Sequence, residues 1–278
     1  MLGYLALVWG ASFLLIAIGL EAFTPGMVAW LRLIVAVVAL SAFRAVRTGI
    51  DRSDWPAIAV VAVAGNAGPA LLFAFAEQTV ESSVAGMLNA AVPLATAVIA
   101  FSLGIRSLRR VQVAGLLLGL AGVVVLSLPS STGEGSSPAG VALVLAAVTG
   151  YALTGNVVVP LQQKYGALPV IYRAQLLSVA LVAPFGLSDL STNRIETGPL
   201  IAVLVLGGLG TGIARVVQAT MAGRVGAPRA SIIGYLVPIV AVVLGVVFRN
   251  ETLDLLEAIG FAAVLVSAYL VTRAVRRA

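Results

Sequence analysis

The apolar runs of the sequence contain three arginines, whose charge simple packing does not explain: Arg32, Arg173 and Arg215. A charge inside a membrane costs about 3 kcal/mol or more, unless it faces a wet cavity, is paired, or reaches the membrane surface. A guanidinium group binds a carboxylate through two parallel hydrogen bonds. We expect Arg32 and Arg173 to bind a carboxylate-bearing solute or to control its passage. Arg173 and Arg215 also lie near enough to a segment end to reach the surface, and for Arg215 this explanation is favoured.

The acidic residues and two missing residue types restrict the chemistry further. No Asp or Glu lies deep in an apolar run, so an arginine-lined cavity would favour anionic or zwitterionic solutes over lipophilic cations. Cysteine and histidine are absent, which removes thiolate nucleophiles, common metal ligands and the usual general base. The sequence also has no phosphate-binding loop or cofactor motif. We therefore expect no metal, no cofactor, no enzymatic activity and no direct use of ATP by this chain.

Uncharged polar and aromatic side chains inside the apolar runs are further candidates for contact with a small-molecule substrate. Hydrogen bonds between helices explain the polar residues equally well, and packing in the core explains the tryptophan. The candidates are Trp9, Asn66, Asn89, Tyr151, Asn156, Gln175, Gln218 and Tyr235.

Glycine and proline interrupt two apolar runs at corresponding places, as GNAGP at Gly65–Pro69 and as GGLGTG at Gly207–Gly212. Proline removes a helical hydrogen bond, and a broken helix is tolerated in a membrane only where the freed groups meet protein or water. Paired breaks indicate a transport site, although close packing of small residues is an alternative. The predicted breaks and kinks are at Gly65, Gly68, Pro69, Pro93, Gly210, Gly212 and Pro238.

The composition indicates which elements must position these residues. Of 278 residues, 60% are hydrophobic and 10% are charged, and the mean hydropathy is +1.09. A soluble domain has about a quarter of its residues charged, and the runs lack the alternation of a membrane β-barrel. A spanning helix needs about 20 apolar residues. We predict an all-α integral membrane protein with ten transmembrane helices: Leu2–Leu20, Pro25–Phe43, Trp55–Phe75, Ser82–Leu103, Val111–Leu128, Ala139–Gln162, Leu168–Leu187, Pro199–Gly223, Ala227–Phe248 and Leu255–Thr272.

The basic residues predict the orientation of these segments. The net charge is +6, but the basic residues are thinly spread among apolar runs, so they indicate topology and not nucleic-acid binding. Of the 17, twelve lie in the C-terminal tail, in the even-numbered loops or at their edge, where Arg229 is the third residue of the ninth segment; two lie in odd-numbered loops, and three lie within segments. Because positive residues stay in the cytoplasm, we expect even-numbered loops and both termini to be cytoplasmic, in a multi-pass plasma (inner) membrane protein.

The two halves of the sequence align with each other. An offset of 145 residues places Pro93 on Pro238, and a slightly shorter offset places Arg32 on Arg173. Two units with an odd number of spans would lie in opposite orientations around a central cavity, as in many secondary transporters. Chance similarity between apolar bundles is the alternative. The predicted division is residues 1–128 as the first repeat, 129–138 as a flexible linker and 139–278 as the second repeat.

Several short motifs resemble the EamA family of the drug/metabolite transporter superfamily over nearly the whole chain. They are WGASF at Trp9–Phe13, AWLRL at Ala29–Leu33, AAVPLATAVIA around Pro93, YLVPIVAVVLG around Pro238, and NETL at Asn250–Leu253. The resemblance implies ten helices around a cavity and export or exchange of amino acids, related metabolites or small xenobiotics. The family usually has Gly-Glu thirteen residues after each of these prolines. Here the first half has Ile105 and Arg106 and the second has Asn250 and Glu251, which favours a role for Glu251 at a helix terminus or in topology.

We predict a secondary transporter that exports or exchanges amino acids or related carboxylate-bearing solutes by alternating access. The alternatives are a drug or xenobiotic efflux carrier and a channel-like facilitator, although no filter loop or charge ring is present in the sequence. Proton antiport, exchange and facilitated diffusion all stay open. The expected partners are a small-molecule substrate and the lipid bilayer, without nucleic acid. The oligomeric state is open, and a monomer fits the sequence.

Overall fold

A computed structural model describes residues 1–102, 110–126, 137–188, 190–225 and 233–276, and every regular element in these ranges is helical. Short 3-10 turns lie at Arg44–Arg47, Arg52–Asp54 and Leu190–Thr192. The α-helices are α1 (Leu2–Leu20), α2 (Pro25–Ser41), α3 (Trp55–Ala62), α4 (Gly68–Ala76), α5 (Ser82–Asn89), α6 (Val92–Ser102), α7 (Arg110–Leu126), α8 (Pro138–Tyr165), α9 (Ala167–Leu187), α10 (Thr197–Val205), α11 (Ala214–Val225), α12 (Ile233–Arg249) and α13 (Leu255–Arg276).

Five helical stretches of the described chain are long and apolar enough to cross a membrane, which confirms an all-helical integral membrane protein. They are Leu2–Leu20, Arg52–Ala76, Pro138–Gly155, Ala167–Leu187 and Thr197–Arg224. Shorter apolar helices lie at Pro25–Ser41, Arg110–Leu126, Leu236–Arg249 and Leu255–Leu270. The ten-span count and the inverted repeat stay predictions. Leu103, Ser127, Leu128, residues 129–136 of the predicted linker and residues 227–232 lie outside the described ranges.

The outer surface of the bundle carries large apolar side chains. Val38, Leu117 and Phe248 are between 63% and 65% exposed. Large exposed apolar areas on a folded chain are typical of a surface that meets lipid or another apolar partner. The interior is apolar as well, with Phe13 and Phe73 among its buried members. This surface agrees with the membrane assignment.

Glycines allow two helices to approach at backbone distance. A Cβ atom at Gly122 of α7 would lie 2.7 Å from the Gly260 carbonyl oxygen of α13, and a Cβ atom at Gly260 would lie 3.0 Å from the Gly122 carbonyl oxygen. Small residues at such crossings are typical of helix packing in membranes. Other helix pairs are also packed closely, because α1 contacts α12, α2 contacts α9, and α4 contacts α8.

Polar caps and turns define where several helices begin. The Thr24 hydroxyl accepts a hydrogen bond from the Met27 amide, with Pro25 as the first residue of α2. Ser137 caps α8 in the same way, with Pro138 after it. Both follow the preference for a hydroxyl at the cap and proline in the first turn. Gly166 has a φ of 84° and makes the sharp turn between α8 and α9.

Hydrogen bonds bring separate loops together at one end of the bundle, which we call the Glu251 end. There the Ser137 amide donates to the Thr79 carbonyl oxygen at 3.0 Å, and the Arg194 amide donates to the Ala22 carbonyl oxygen at 2.9 Å. At the opposite end, which we call the Lys164 end, Lys164 forms ion pairs with the loop before α3. The functional candidates lie between these two ends.

Candidate functional site

Two helices change to π-helical geometry at the glycine-rich segments. The first π-helix is Val63–Ala67, between α3 and α4, and the second is Leu206–Ile213, between α10 and α11. A π-helical stretch shifts the backbone hydrogen-bond pattern and is common at functional sites. Gly65 and Gly210 lie in these stretches, as does Gly212, while Gly68 and Pro69 begin α4 directly after the first.

Side chains from other helices satisfy backbone groups of the two π-helices. Arg215 Nη2 donates to the Gly65 carbonyl oxygen at 2.6 Å. The Trp9 indole donates to the Gly210 carbonyl oxygen at 3.0 Å. Each break is therefore stabilised by a side chain from the opposite half of the sequence, as freed backbone groups require in a buried position.

The Arg215 guanidinium lies against two aromatic rings. It is 4.5 Å from the centre of the Tyr151 ring and 5.6 Å from that of Trp9. Tyr151 stacks on Phe73 with ring centres 6.1 Å apart. Within the described ranges, Gly65 is the one hydrogen-bond acceptor that Arg215 has. Most of its donors therefore have no acceptor in the described part of the chain, since a guanidinium has five.

Arg32 lies close to the same place and is 8% exposed. Its Nε donates to the Thr211 hydroxyl oxygen at 2.9 Å, and that hydroxyl donates to the Leu206 carbonyl oxygen of the second π-helix at 3.0 Å. Arg32 interacts electrostatically with Tyr151, Arg215 and Glu77. The two terminal guanidinium nitrogens of Arg32 have no acceptor in the described part of the chain.

A buried amide pair completes the polar region. Gln175 Nε2 donates to the Thr211 carbonyl oxygen at 3.0 Å and to Asn66 Oδ1 at 3.4 Å, and Asn66 Nδ2 donates to the Val61 carbonyl oxygen at 3.0 Å. These hydrogen bonds connect the two π-helices through α9. We call the set of Trp9, Arg32, Asn66, Tyr151, Gln175, Thr211 and Arg215 the central polar site.

Other candidate residues lie apart from the central polar site. Arg173 is at the Lys164 end, where it donates to the Val46 carbonyl oxygen at 2.7 Å and to the Thr48 carbonyl oxygen at 3.4 Å. These contacts satisfy its charge at a loop, which is the surface explanation that the sequence left open. Asn89 ends α5 and Gln218 lies in α11, both half-buried.

Two further substrate-contact candidates and the two predicted proline kinks remain. The side chains of Asn156 in α8 and Tyr235 in α12 lie outside the described part. Pro93 is the second residue of α6, after the chain leaves α5 at Asn89. Pro238 lies inside α12, which continues to Arg249.

Two residues of this region were misjudged or missed in the sequence. Arg215 was assigned mainly to the membrane surface, yet it contacts the opposite π-helix. Arg215 lies three residues after Gly212, and this position beside the second break could have indicated a role in the site. The second is Glu77, whose place just after α4 made it look like a loop residue. Its carboxyl oxygens are buried, and Arg32 acts on it electrostatically, so this acid adds to the charges around Arg32 although it lies outside the predicted span Trp55–Phe75.

Glu251 lies at a helix terminus, in the place that the sequence favoured. One carboxylate oxygen accepts from the Ser82 amide at 3.1 Å and from the Ser82 hydroxyl at 2.7 Å, and the other accepts from the Ser83 amide at 3.0 Å. The side chain therefore caps the first turn of α5, where a negative charge is favourable. Arg249, two residues earlier, forms an ion pair with Glu21.

The Lys164 end has its own charge cluster. Lys164 Nζ is 2.8 Å from carboxylate oxygens of both Asp51 and Asp54, and the Tyr165 hydroxyl donates to Asp54. The hydrogen bonds from Lys164 and Tyr165 lower the pKa of Asp51, and the bond to Asp51 raises the pKa of Lys164. Asp51 and Lys164 are both exposed, so this cluster joins the end of α8 to the loop before α3 at modest strength.

A polar site beside two broken helices within an apolar bundle is the arrangement typical of membrane transport proteins. Residues 1–128 and 138–273 match the model of the EamA-like transporter family. The chain belongs to the EamA-like transporter family.

Similar proteins agree with this assignment. The chain is 27% identical to the "Uncharacterized inner membrane transporter YedA" of Escherichia coli (strain K12), in a match that covers 96% of this chain and 88% of that protein. It is 26% identical to the "Probable amino-acid metabolite efflux pump" of Salmonella typhimurium (strain LT2), over 96% of this chain and 93% of that protein. A solved crystal structure has the same fold, with a TM-score of 0.69 and 21% identity, and the match covers 99% of this chain and 96% of the other.

Proposed function

We propose that this protein is a secondary transporter that exports or exchanges amino acids or related carboxylate-bearing solutes by alternating access. The observation that carries the proposal is the pair of arginines at the two π-helices. Arg215 contacts the first π-helix and Arg32 contacts a residue of the second. Substrate binding at paired helix breaks is the common arrangement in secondary transporters.

The charge and donors of the site favour a carboxylate. Arg32 interacts electrostatically with a second guanidinium group, Arg215, and with one carboxyl, Glu77, which leaves an excess of positive charge when all three are ionised. Each arginine uses one of its donors on the protein in the described ranges. A carboxylate offers two oxygens in the geometry that a guanidinium matches. The amino-acid relative in Salmonella typhimurium supports the same substrate class.

The topology that we propose has ten spans in two inverted five-helix repeats, with both termini in the cytoplasm. Two separate family matches, at residues 1–128 and 138–273, support a two-repeat organisation. The twelve-to-two distribution of basic residues supports the orientation. In this orientation the Glu251 end faces outward and the Lys164 end faces the cytoplasm.

A matched set of three solutes tests the substrate class. L-leucine has both a carboxylate and an ammonium group, N-acetyl-L-leucine keeps only the carboxylate, and L-leucinamide keeps only the ammonium. Purified protein in liposomes should exchange leucine for leucine, and N-acetyl-L-leucine outside should inhibit this exchange, whereas L-leucinamide should not. Inhibition by L-leucinamide alone would contradict the proposal.

Arginine variants test the residues. Arg215→Ala and Arg32→Ala should each weaken the apparent leucine affinity by about tenfold or more, because each removes a charged hydrogen bond worth about 1.5–3 kcal/mol. Arg224→Ala is the matched control, since Arg224 lies on the same helix as Arg215 but is exposed. Equal affinity in all three variants would remove the arginines from the substrate site.

Efflux of lipophilic cations is the second candidate, and Glu77 is the observation that favours it. A cation carrier uses a buried acid, and the carboxyl oxygens of Glu77 are buried without a hydrogen-bond partner in the described ranges. Tetraphenylphosphonium in the same exchange assay separates the two functions. Competition by tetraphenylphosphonium that Glu77→Gln abolishes would favour the cation carrier over the carboxylate carrier.

A further inference from the structure

The Gln175 side chain is completely buried, and the described protein uses only one end of its amide. The Nε2 group donates to the Thr211 carbonyl oxygen at 3.0 Å and to Asn66 Oδ1 at 3.4 Å. The Oε1 oxygen is also buried and has no hydrogen-bond partner in the described part of the chain. A buried acceptor without a donor is unfavourable and rare in folded proteins, so this oxygen needs an explanation.

The neighbours of this amide fix its orientation. Asn66 Nδ2 donates to the Val61 carbonyl oxygen at 3.0 Å, so Asn66 presents its Oδ1 oxygen to Gln175. Turning the Gln175 amide over would place Oε1 against two acceptor oxygens and would lose both hydrogen bonds. The atom without a partner is therefore the oxygen, and a group that fills this position must be a hydrogen-bond donor.

The Gln175 amide lies beside the groups that bind both arginines of the central polar site. Thr211 accepts from Gln175 through its carbonyl oxygen and from Arg32 Nε through its hydroxyl oxygen, at 2.9 Å. Asn66, the other acceptor, directly follows the residue of the first π-helix that accepts from Arg215. The oxygen without a partner is therefore close to the two proposed carboxylate ligands.

An α-amino acid supplies a donor next to a carboxylate. Its ammonium group has three N–H donors and is attached to the carbon that carries the carboxylate, whereas a plain ionised carboxylic acid has no donor. We infer that Gln175 Oε1 accepts a hydrogen bond from the substrate ammonium group, while Arg32 and Arg215 bind the substrate carboxylate. The inference rests on the proposed function, because it needs a carboxylate at the arginines. It narrows the substrate class to zwitterionic amino acids.

The movement that alternating access requires brings this buried oxygen into contact with substrate. Of the two hydrogen bonds of Gln175, the one to Asn66 joins opposite halves of the sequence, and at 3.4 Å it is the longer. The bond to Thr211 lies within the second half. When the halves separate, Gln175 stays with Thr211 and loses Asn66, so the amide opens to the transport path.

Two solutes that differ in one group test this role. L-leucine and 4-methylpentanoate share a carbon skeleton and a carboxylate, and 4-methylpentanoate lacks the ammonium group. By calorimetry in detergent, the wild-type protein should bind leucine about tenfold more tightly or better, because the ammonium adds a charged hydrogen bond to a buried acceptor. Gln175→Met removes the acceptor at a similar side-chain length, and the ratio of the two affinities should fall towards one.

Two further variants separate binding of the ammonium group from packing. Gln175→Glu keeps an acceptor oxygen at this position, so its preference for leucine should equal or exceed that of wild type. This variant decides the question if Gln175→Met does not fold. Gln163→Met is the matched control, because Gln163 is exposed on α8, and it should bind both solutes as wild type does. A general structural loss would weaken both solutes alike and leave their ratio unchanged.

The outcomes separate this inference from the proposed function. Equal wild-type affinities for leucine and 4-methylpentanoate would refute the role of Gln175 while leaving the carboxylate site intact. A preference for leucine that Gln175→Met keeps in full, or that Gln175→Glu loses, would refute it as well. No binding of either solute by the wild-type protein would refute the proposed substrate class, and with it the role of Gln175.

Discussion

Arg215 and Gly65 are 150 positions apart in the sequence, and the Arg215 guanidinium donates to the Gly65 carbonyl oxygen at 2.6 Å. This contact connects α11 with the first π-helix, while Trp9 makes the corresponding contact from α1 to Gly210 in the second. Each half of the chain therefore stabilises the break in the other. A movement that separates the halves must exchange these hydrogen bonds for others, with water or substrate as partners.

Replacing Arg215 with lysine should separate its charge from its geometry. Arg215→Lys keeps the positive charge but loses the planar group that lies against Tyr151 and Trp9 and the fork that matches a carboxylate. We expect about a tenfold loss of leucine affinity in the exchange assay, with a smaller loss of stability than in Arg215→Ala. Arg224→Lys serves as the control and should behave as wild type. Full activity of Arg215→Lys would show that charge alone suffices.

Replacing Glu251 with glutamine should weaken the cap on α5. The glutamine side chain offers one acceptor oxygen in place of two and loses the negative charge that favours a helix N-terminus. We expect a loss of about 1–3 kcal/mol in unfolding free energy, seen as a lower melting temperature in detergent. Glu196→Gln, at an exposed pair, should change stability little. Equal melting temperatures for both variants would contradict the capping role.

The helical fold was predictable from the sequence, but the central polar site was predictable only in part. Runs of apolar residues define helices regardless of partners, and the glycine clusters around Gly65 and Gly210 marked the breaks. Contacts between distant elements carry no such local signal. Arg215 looked like a residue that reaches the membrane surface because its acceptor lies in the other half of the chain. Glu77 looked like a loop residue because burial depends on how α2 and α8 pack against α4.

The ion pair between Asp51 and Lys164 should depend on pH in a defined direction. The folded protein lowers the pKa of Asp51 from its ordinary value of 3.8, first through the hydrogen bond from Lys164. Its contribution to stability is therefore present above that ordinary value and is lost as the pH falls through the lower, folded value. The melting temperatures of wild type and Asp51→Asn should differ slightly near pH 6 and converge near pH 3. A difference that grows in acid would contradict this assignment.

A methyl group at Gly122 should disturb the contact between α7 and α13. The new Cβ atom would lie 2.7 Å from the Gly260 carbonyl oxygen, and backbone cannot move aside as a flexible side chain can. We expect Gly122→Ala to lose about 1–3 kcal/mol of stability, the usual cost of overpacking. Gly155→Ala is the matched control, because a Cβ atom at this helical position meets nothing within 4 Å. That variant should be neutral or more stable by about 0.5–1 kcal/mol. A stable Gly122→Ala variant would mean that the two helices can separate at low cost.

The proposed orientation predicts opposite labelling of two loops. The sequence contains no cysteine, so single cysteines can be introduced without removing others. Ile195 is 88% exposed at the Glu251 end, and Gly49 is exposed at the Lys164 end with open space around its Cβ position. In intact cells a membrane-impermeant maleimide should label Ile195→Cys, whereas Gly49→Cys should react only after the membrane is permeabilised. Because basic residues cluster in the loop that contains Gly49, reversed labelling would contradict the charge rule for this protein. Labelling of both positions in intact cells would instead contradict the number of spans between them.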